Sequence, residues 1–248
     1  MSRPTITLPQ LAHPVDELWH VLLDLAETLR APWTLVGGQM VLLHALEHGQ
    51  VPPQISQDGD IVANVRAARD AIGQVVASLV AAGFTVDGMS PDGLAHRYIR
   101  PAEPQPVKVD VLAPEGLGTR ANLTTTKPGR TLEVPGGTQA LDRTERVTVE
   151  HEGRSVAVPR PSLLAALVVK GAASGLPGDP SRHLRDLALL CALVQDPFRM
   201  GPELTKKDRS RLRNAGVLGS STHPAWLLVP ADVREQGQTT FKILVSDR

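Results

Sequence analysis

Apolar positions follow two rhythms along the chain. In residues 15–30, Leu18, Val21, Leu22, Leu25 and Leu29 recur at helical spacing. The same holds in 66–82 for Ile72, Val75, Val76, Leu79 and Val80, with Gly83 as a stop signal. Both stretches predict amphipathic helices. The second rhythm is short and rich in β-branched residues, bounded by Asp, Gly or Pro. It covers 33–36, 61–63, 84–86, 95–99 and 107–112 and predicts strands. Residues 146–150 and 155–158 flank His151-Glu152-Gly153-Arg154 and predict a hairpin. Residues 1–14, with three prolines, read as an extended lead-in, and the Gly/Thr/Pro-rich stretch 113–137 as a long surface loop or a broken strand pair carrying Arg120, Lys127 and Arg130. After Pro159 and Pro161 the pattern turns helical, over 162–174, 181–194 and 201–214, with one more helix within 225–245. Helix and strand alternate in the first part, which favours an α/β fold with a mixed sheet. The expected organisation is an α/β core over 1–158, with an N-terminal helix and the hairpin, then a helical domain over 159–248.

Composition narrows the classes. With 42% hydrophobic residues, 248 residues can bury a sizeable core, and disorder is disfavoured. Aromatics make up only 3%, so Leu, Val and Ala must build that core, and base stacking on an aromatic platform is disfavoured. A formal net charge of zero argues against indiscriminate coating of nucleic acid but leaves room for a local basic patch. The one cysteine, Cys191, excludes an intrachain disulfide, and a cytoplasmic location fits. Neither a secretory signal pattern nor a membrane-length apolar run is present, so no membrane association is expected.

The chemistry concentrates in residues 35–65. An apolar run meets Gly37-Gly38, then a helix-like stretch, a Pro-Pro loop, Asp58-Gly59-Asp60 and a second apolar run. Glycines between a strand and a helix N-terminus supply φ freedom and let backbone N–H groups approach a phosphate. Asp58 and Asp60, at i and i+2 on a strand, would face the same way. Paired carboxylates favour a hard divalent cation between them.

Gly37-Gly38, a helix and Asp-x-Asp on a strand resemble the signature of the DNA polymerase β-like nucleotidyltransferase superfamily. Asp110, in Val107-Lys108-Val109-Asp110-Val111-Leu112, stands where that family carries its third metal carboxylate, with Lys108 on its face as a pairing partner. Lys170 in an apolar helix, followed by Arg182-His183-Leu184-Arg185-Asp186-Leu187, resembles the AbiEii/MenT-type toxin branch, with Arg182 and His183 in place of the usual Lys and carboxylate. The motif set spans 33–190.

The resemblance implies a polymerase-β-type core plus a C-terminal helical bundle, and transfer of a nucleoside monophosphate from an NTP to a hydroxyl. Asp58, Asp60 and Asp110 would bind Mg²⁺ or Mn²⁺. Gly37, Gly38, Gln39, Lys170 and Arg185 would hold phosphates, with Asp186 fixing Lys170. Lys170 and the three aspartates would be catalytic. Gly59 replaces an apolar residue usual in the family and is expected to loosen a strand edge. The toxin branch further implies a tRNA 3′ end as acceptor and a cognate antitoxin, as in a type IV toxin–antitoxin system. Lys206, Lys207, Arg209, Arg211 and Arg213 are a basic segment that would steer an RNA.

Three alternatives stand beside this reading. One is a small-molecule nucleotidyltransferase of the antibiotic-modifying kind. Another is a non-catalytic nucleotide- or RNA-binding protein on the same fold. The third is a zinc metallohydrolase through His44, Glu47 and His48, which match the inverted zincin pattern.

Overall fold

A computed structural model describes residues 4–246. The chain divides into two compact units. The first comprises the residues up to Met40 together with Ile55–Pro161; the second comprises Val41–Gln54 and the residues from Ser162 onward.

In the first unit the order is β1 (Thr5–Thr7), α1 (Val15–Thr28), β2 (Trp33–Val36), the start of α2 (Gly37–Glu47), β3 (Asp58–Ala63), α3 (Ala71–Ala81), β4 (Thr85–Val86), β5 (Arg97–Arg100), β6 (Val107–Pro114), β7 (Leu132–Val134), α4 (Gly137–Asp142), β8 (Thr144–His151) and β9 (Arg154–Pro161). The strands form two sheets. The larger runs β2-β3-β6-β5-β4, with β7 added to the far half of β6. β3 and β6 are parallel, whereas β2/β3, β5/β6 and β4/β5 are antiparallel, so the sheet is mixed as the alternating pattern predicts. The smaller sheet is β1-β8-β9. Its hairpin turns through Glu152 and Gly153, both at positive φ, the type I′ geometry that matches strand twist. Of the expected lead-in, residues 1–3 lie outside the described residues; Thr5–Thr7 is extended and pairs in parallel with β8, which local pattern did not signal.

The core of this unit is aliphatic with a few large aromatics. Leu18, Trp19, Leu22 and Leu23 of α1 are fully buried, as are Leu35, Ile61, Val109 and Tyr98 on the sheet. Val80, expected inward on α3, is 54% exposed. The stretch 113–137 is pinned rather than loose: the Tyr98 hydroxyl meets Thr126 Oγ1 at 2.8 Å, and Thr125 Oγ1 donates to the Ala95 carbonyl at 2.8 Å.

The second unit is helical. Besides the rest of α2 it holds α5 (Leu163–Ala173), α6 (Ser181–Ala192), α7 (Pro197–Met200), α8 (Lys206–Arg213), α9 (Pro224–Leu227) and α10 (Ala231–Val245). Ser162 caps α5 by accepting from the Ala165 N–H, and Thr205 and Asp208 form a reciprocal capping box on α8. Small residues let these helices approach closely. A Cβ on Gly171 would stand 2.9 Å from the Arg211 carbonyl oxygen, and one on Gly237 would stand 3.0 Å from the Trp226 ring. Cys191 is a free, fully buried thiol on α6, and burial pushes its pKa up. Among the described residues no helix is long and apolar enough to cross a membrane.

Candidate active site

The site is built on the turn from β2 into α2. Gly37 takes φ +68°, a left-handed conformation that L side chains rarely adopt. It has no room for a Cβ either: such an atom would lie 1.7 Å from Asp60 Oδ2 and 2.9 Å from Asp60 Cβ. The register explains the approach, because Val36 at the end of β2 is paired with Asp60 on β3. The glycine turn and the second aspartate are therefore one feature. Gly38 follows in the first turn of α2, where backbone N–H groups are not used by the helix itself.

Asp58 and Asp60 point to the same, partly open face of β3, while Gly59 between them is buried. The expected loosening of a strand edge at Gly59 does not occur. β3 is interior, flanked by β2 and β6, and Gly59 keeps its ladder position opposite Val109. The glycine is there because α1 packs against the other face. A Cβ at position 59 would come 2.9 Å from Leu18 Cδ1 and 3.6 Å from Leu22 Cδ2.

Asp60 pairs in register with Asp110 on β6, and Asp110 with Arg97 on β5. The result is a row of three charged side chains across three adjacent strands. Arg97 clamps Asp110 in two parallel bonds, Nε to Oδ1 and Nη2 to Oδ2, both 2.8 Å, and Nη2 is 3.8 Å from Asp58 Oδ2. The Asp110 hydrogen bond raises the Arg97 pKa above its ordinary value against the opposing effect of burial; the charges of Asp110, Asp58 and Asp60 add to the rise. Among the described residues Arg97, rather than the expected Lys108, is the ion-pair partner of Asp110; Lys108 stands opposite Asp58 and Ile99. Arg97 is the site residue that sequence reasoning missed. Its strand is evident in the pattern, but which residue of that strand faces Asp110 depends on register.

Three carboxylates on one face are the donor set of a hard divalent cation such as Mg²⁺ or Mn²⁺. Among the described residues their oxygens are not gathered within 4.8 Å of one another, as expected for like charges with a guanidinium taking up one of them. The donor types fit such an ion, and Arg97 occupies both Asp110 oxygens.

The Gln39 side chain, expected to contact phosphate, is committed to other partners. It is fully buried, its Oε1 accepts from Trp19 Nε1 at 2.9 Å, and its Nε2 donates to the Ser56 carbonyl at 2.5 Å. Both ends of the amide are thus used to tie α1 and the loop before β3 to the glycine turn.

Several candidates belong to the second unit. Lys170 is 2% exposed, and its Nζ donates to Asp186 Oδ2 at 2.6 Å across α5 and α6. Burial and then the Lys170 charge hold the neighbouring His183 imidazole below its ordinary pKa. Arg185, on the same helix, is half-buried; the hydrogen bonds of Ser181, and to a lesser degree the Arg185 charge, lower the Asp179 pKa. Replacing Lys170 with methionine should cost about 3 kcal/mol of stability, because Asp186 is left without its cation; the low end applies since Asp186 keeps some exposure. The same change should raise the His183 pKa by removing a nearby positive charge, which an NMR titration of the imidazole would show. Urea unfolding tests the stability loss, and Lys170→Met/Asp186→Leu should recover most of it.

The basic segment is only partly open: Lys206, Lys207 and Arg213 are exposed, Arg209 is half-buried and Arg211 is buried. Arg209 donates to the carbonyls of Gly201, Leu244 and Ser246 at 2.7, 2.7 and 3.0 Å. Arg213 donates to the Val245 carbonyl at 3.0 Å, and Arg211 is buried. Only Lys206 and Lys207 are exposed without such ties. The structure adds no support to the zincin reading. His48 Nδ1 is turned to the His44 carbonyl of its own helix at 2.8 Å, and among the described residues His44, Glu47 and His48 form no three-donor cluster.

No protein-family model and no curated protein matches the chain. Solved structures do. An antigenic nucleotidyltransferase-like protein from Paracoccidioides brasiliensis superposes with a TM-score of 0.53 at 17% identity, over 93% of this chain and 94% of that one. The antibiotic-resistance factor ANT(2'')-Ia superposes with a TM-score of 0.44 at 15% identity, over 81% of this chain and 90% of its own. The first likeness establishes a nucleotidyltransferase fold, mixed α/β with added helices; the AbiEii/MenT-type branch rests on motif spacing alone.

Proposed function

We propose that this protein uses its nucleotidyltransferase fold to transfer a nucleoside monophosphate from an NTP to a hydroxyl, releasing pyrophosphate. The observation that carries this reading is the aspartate row beside a glycine turn that Asp60 itself forbids to any other residue. Asp58, Asp60 and Asp110 would hold Mg²⁺ or Mn²⁺. Such an ion, when bound, supplies charge neutralisation of the phosphates and a lowered hydroxyl pKa. The remaining work falls to the chain itself. Asp110, nine-tenths buried, accepts the proton as the acceptor oxygen bonds to the α-phosphorus and the bond to pyrophosphate breaks. The first-turn N–H groups of α2, at Gly38, bind phosphate oxygens as the Gly37 turn brings them close. Arg97 balances the carboxylates until the substrate arrives, then is free to meet the leaving phosphates.

For the acceptor, the motif resemblance puts a tRNA 3′ end first, in a toxin–antitoxin setting. A small hydroxylated molecule is the second reading. It is favoured by the half-buried Arg209 and the buried Arg211, which leave Lys206, Lys207 and Arg213 as the exposed cations of the segment on α8.

The test is incubation with Mg²⁺, each labelled NTP, and either total tRNA or a panel of aminoglycoside-type polyols, beside Asp58→Asn/Asp60→Asn. Label should pass to tRNA and fall at least ~10³-fold in the variant. Label on a polyol alone keeps the reaction and replaces the acceptor. Absence of both transfer and Mg²⁺-dependent NTP binding would overturn the enzyme reading in favour of a non-catalytic protein on this fold.

A further inference from the structure

Away from the aspartate row, α1 and the β8–β9 turn bring together a second set of metal-ligating groups. Asp16 and His20 sit at i and i+4 on α1, hence on one face. His151 ends β8 and is 5% exposed; Glu152 opens the turn. His151 Nε2 lies 3.0 Å from Asp16 Oδ1. His20 Nε2 lies 3.2 Å from Glu152 Oε2 and 3.9 Å from Asp16 Oδ2. The two imidazoles are 5.1 Å apart between centroids and tilted by 45°. Donor atoms of Asp16, His20 and His151 all fall within 4.8 Å of one another, alone among the described residues.

Two further observations point to a ligand. His151 Nε2 is buried and, despite its nearness to Asp16, has no hydrogen-bond partner in proper geometry. A buried polar atom of that kind calls for an explanation, an ion being one. Glu152 is also the one non-glycine residue among those described with positive φ, at 47°. Asn, Asp or Gly is the usual choice at that turn position. A glutamate held there against its conformational preference places a carboxylate beside His20, and strain of this sort gathers at ligand sites.

We propose that Asp16, His20, His151 and Glu152 form a zinc site. Two imidazole nitrogens and two carboxylates are a tetrahedral N₂O₂ set suited to Zn²⁺, unlike the all-oxygen aspartate row, which suits Mg²⁺. Small rotamer changes bring the donors to bonding distance. The ion clips α1 to the β8–β9 hairpin, where Arg154 already donates to Asp24 and Glu27 at 2.8 Å each. Since α1 also packs Leu18 and Leu22 under Gly59, zinc here stiffens the floor of the aspartate strand. The proposal is independent of the transfer reaction.

The test is calorimetric titration of ZnCl₂ into the chelator-treated full chain in excess Mg²⁺, repeated on His20→Ala, Asp58→Asn/Asp60→Asn and His48→Gln. The expected result is one zinc per chain, with a higher Tm. Binding persists in the aspartate and His48 variants and is lost in His20→Ala, whose circular dichroism is unchanged because the side chain is one-third exposed. Co²⁺ in place of zinc gives the visible absorption of a four-coordinate site in every variant except His20→Ala. The proposal is overturned by no stoichiometric zinc, by unchanged zinc in His20→Ala, or by zinc lost only with the aspartates.

Discussion

Alanine at position 37 should unfold part of the active site and remove transfer together. Two costs combine. A φ of +68° costs a side-chain-bearing residue about 1–2 kcal/mol. The new Cβ also meets Asp60 along its whole length, at 1.7 Å from Oδ2, 2.6 Å from Cγ and 2.9 Å from Cβ. Rotating the carboxylate relieves the first two contacts but not the third, so the turn or β3 must shift, at a further ~1–3 kcal/mol. If Asp60 holds the ion as proposed, displacing its carboxylate by about an ångström should cost transfer at least ~100-fold. Urea unfolding and the transfer assay read the two effects. Gly49 separates them: it has φ +69° with nothing within 4 Å of a built Cβ, so Gly49→Ala should lose only the conformational part. Gly37→Ala/Asp60→Ala should likewise regain the steric part of the stability, though none of the activity. A Gly37→Ala protein with native stability and rate would refute the coupling of turn and carboxylate.

The second large effect concerns the pair opposite Asp60. If Asp110 serves as ion ligand and proton acceptor, as proposed, Asp110→Asn should lower transfer by ~10²–10⁴. Arg97→Met acts with the opposite sign on ion binding. Its guanidinium occupies both Asp110 oxygens, so its removal should tighten Mg²⁺ on the order of tenfold, about 1.4 kcal/mol. The stability cost should be small, because Arg97 is 39% exposed and water screens the pair. Calorimetry with Mg²⁺ on Arg97→Met and on the native chain decides the point. Equal affinities would mean that Arg97 does not compete with the ion.

The sequence made most of the elements readable because their signals are local. Leu18 to Leu29 at helical spacing, the β-branched run around Asp110 and the Glu152-Gly153 turn each carry their own pattern. Gly37-Gly38 and Asp58-Gly59-Asp60 were likewise visible as motifs. What was not visible depends on contacts between distant segments. Arg97 faces Asp110 through antiparallel register, which no property of either strand announces. Gly59 looked like a weakness and is instead the place where Leu18 packs. Gln39 looked available for phosphate, but Trp19 and Ser56, 20 and 17 residues away, use both ends of its amide. The arginines of α8 looked like a surface charge run, yet the end of α10 supplies carbonyls that hold Arg209 half-buried and tie Arg213 at the surface. In each case the residue type was plain and its partner was set by tertiary structure.

Cys191 turns the second unit into its own reporter. A sole thiol with no exposed surface and a raised pKa cannot react with an aqueous alkylating reagent while α6 stays packed. Its labelling rate in dilute urea therefore counts the openings of that helix layer one molecule at a time, with no other sulfhydryl to confuse the signal. A cysteine introduced elsewhere for a fluorescent probe can be modified selectively under native conditions, leaving the natural one untouched as an internal clock.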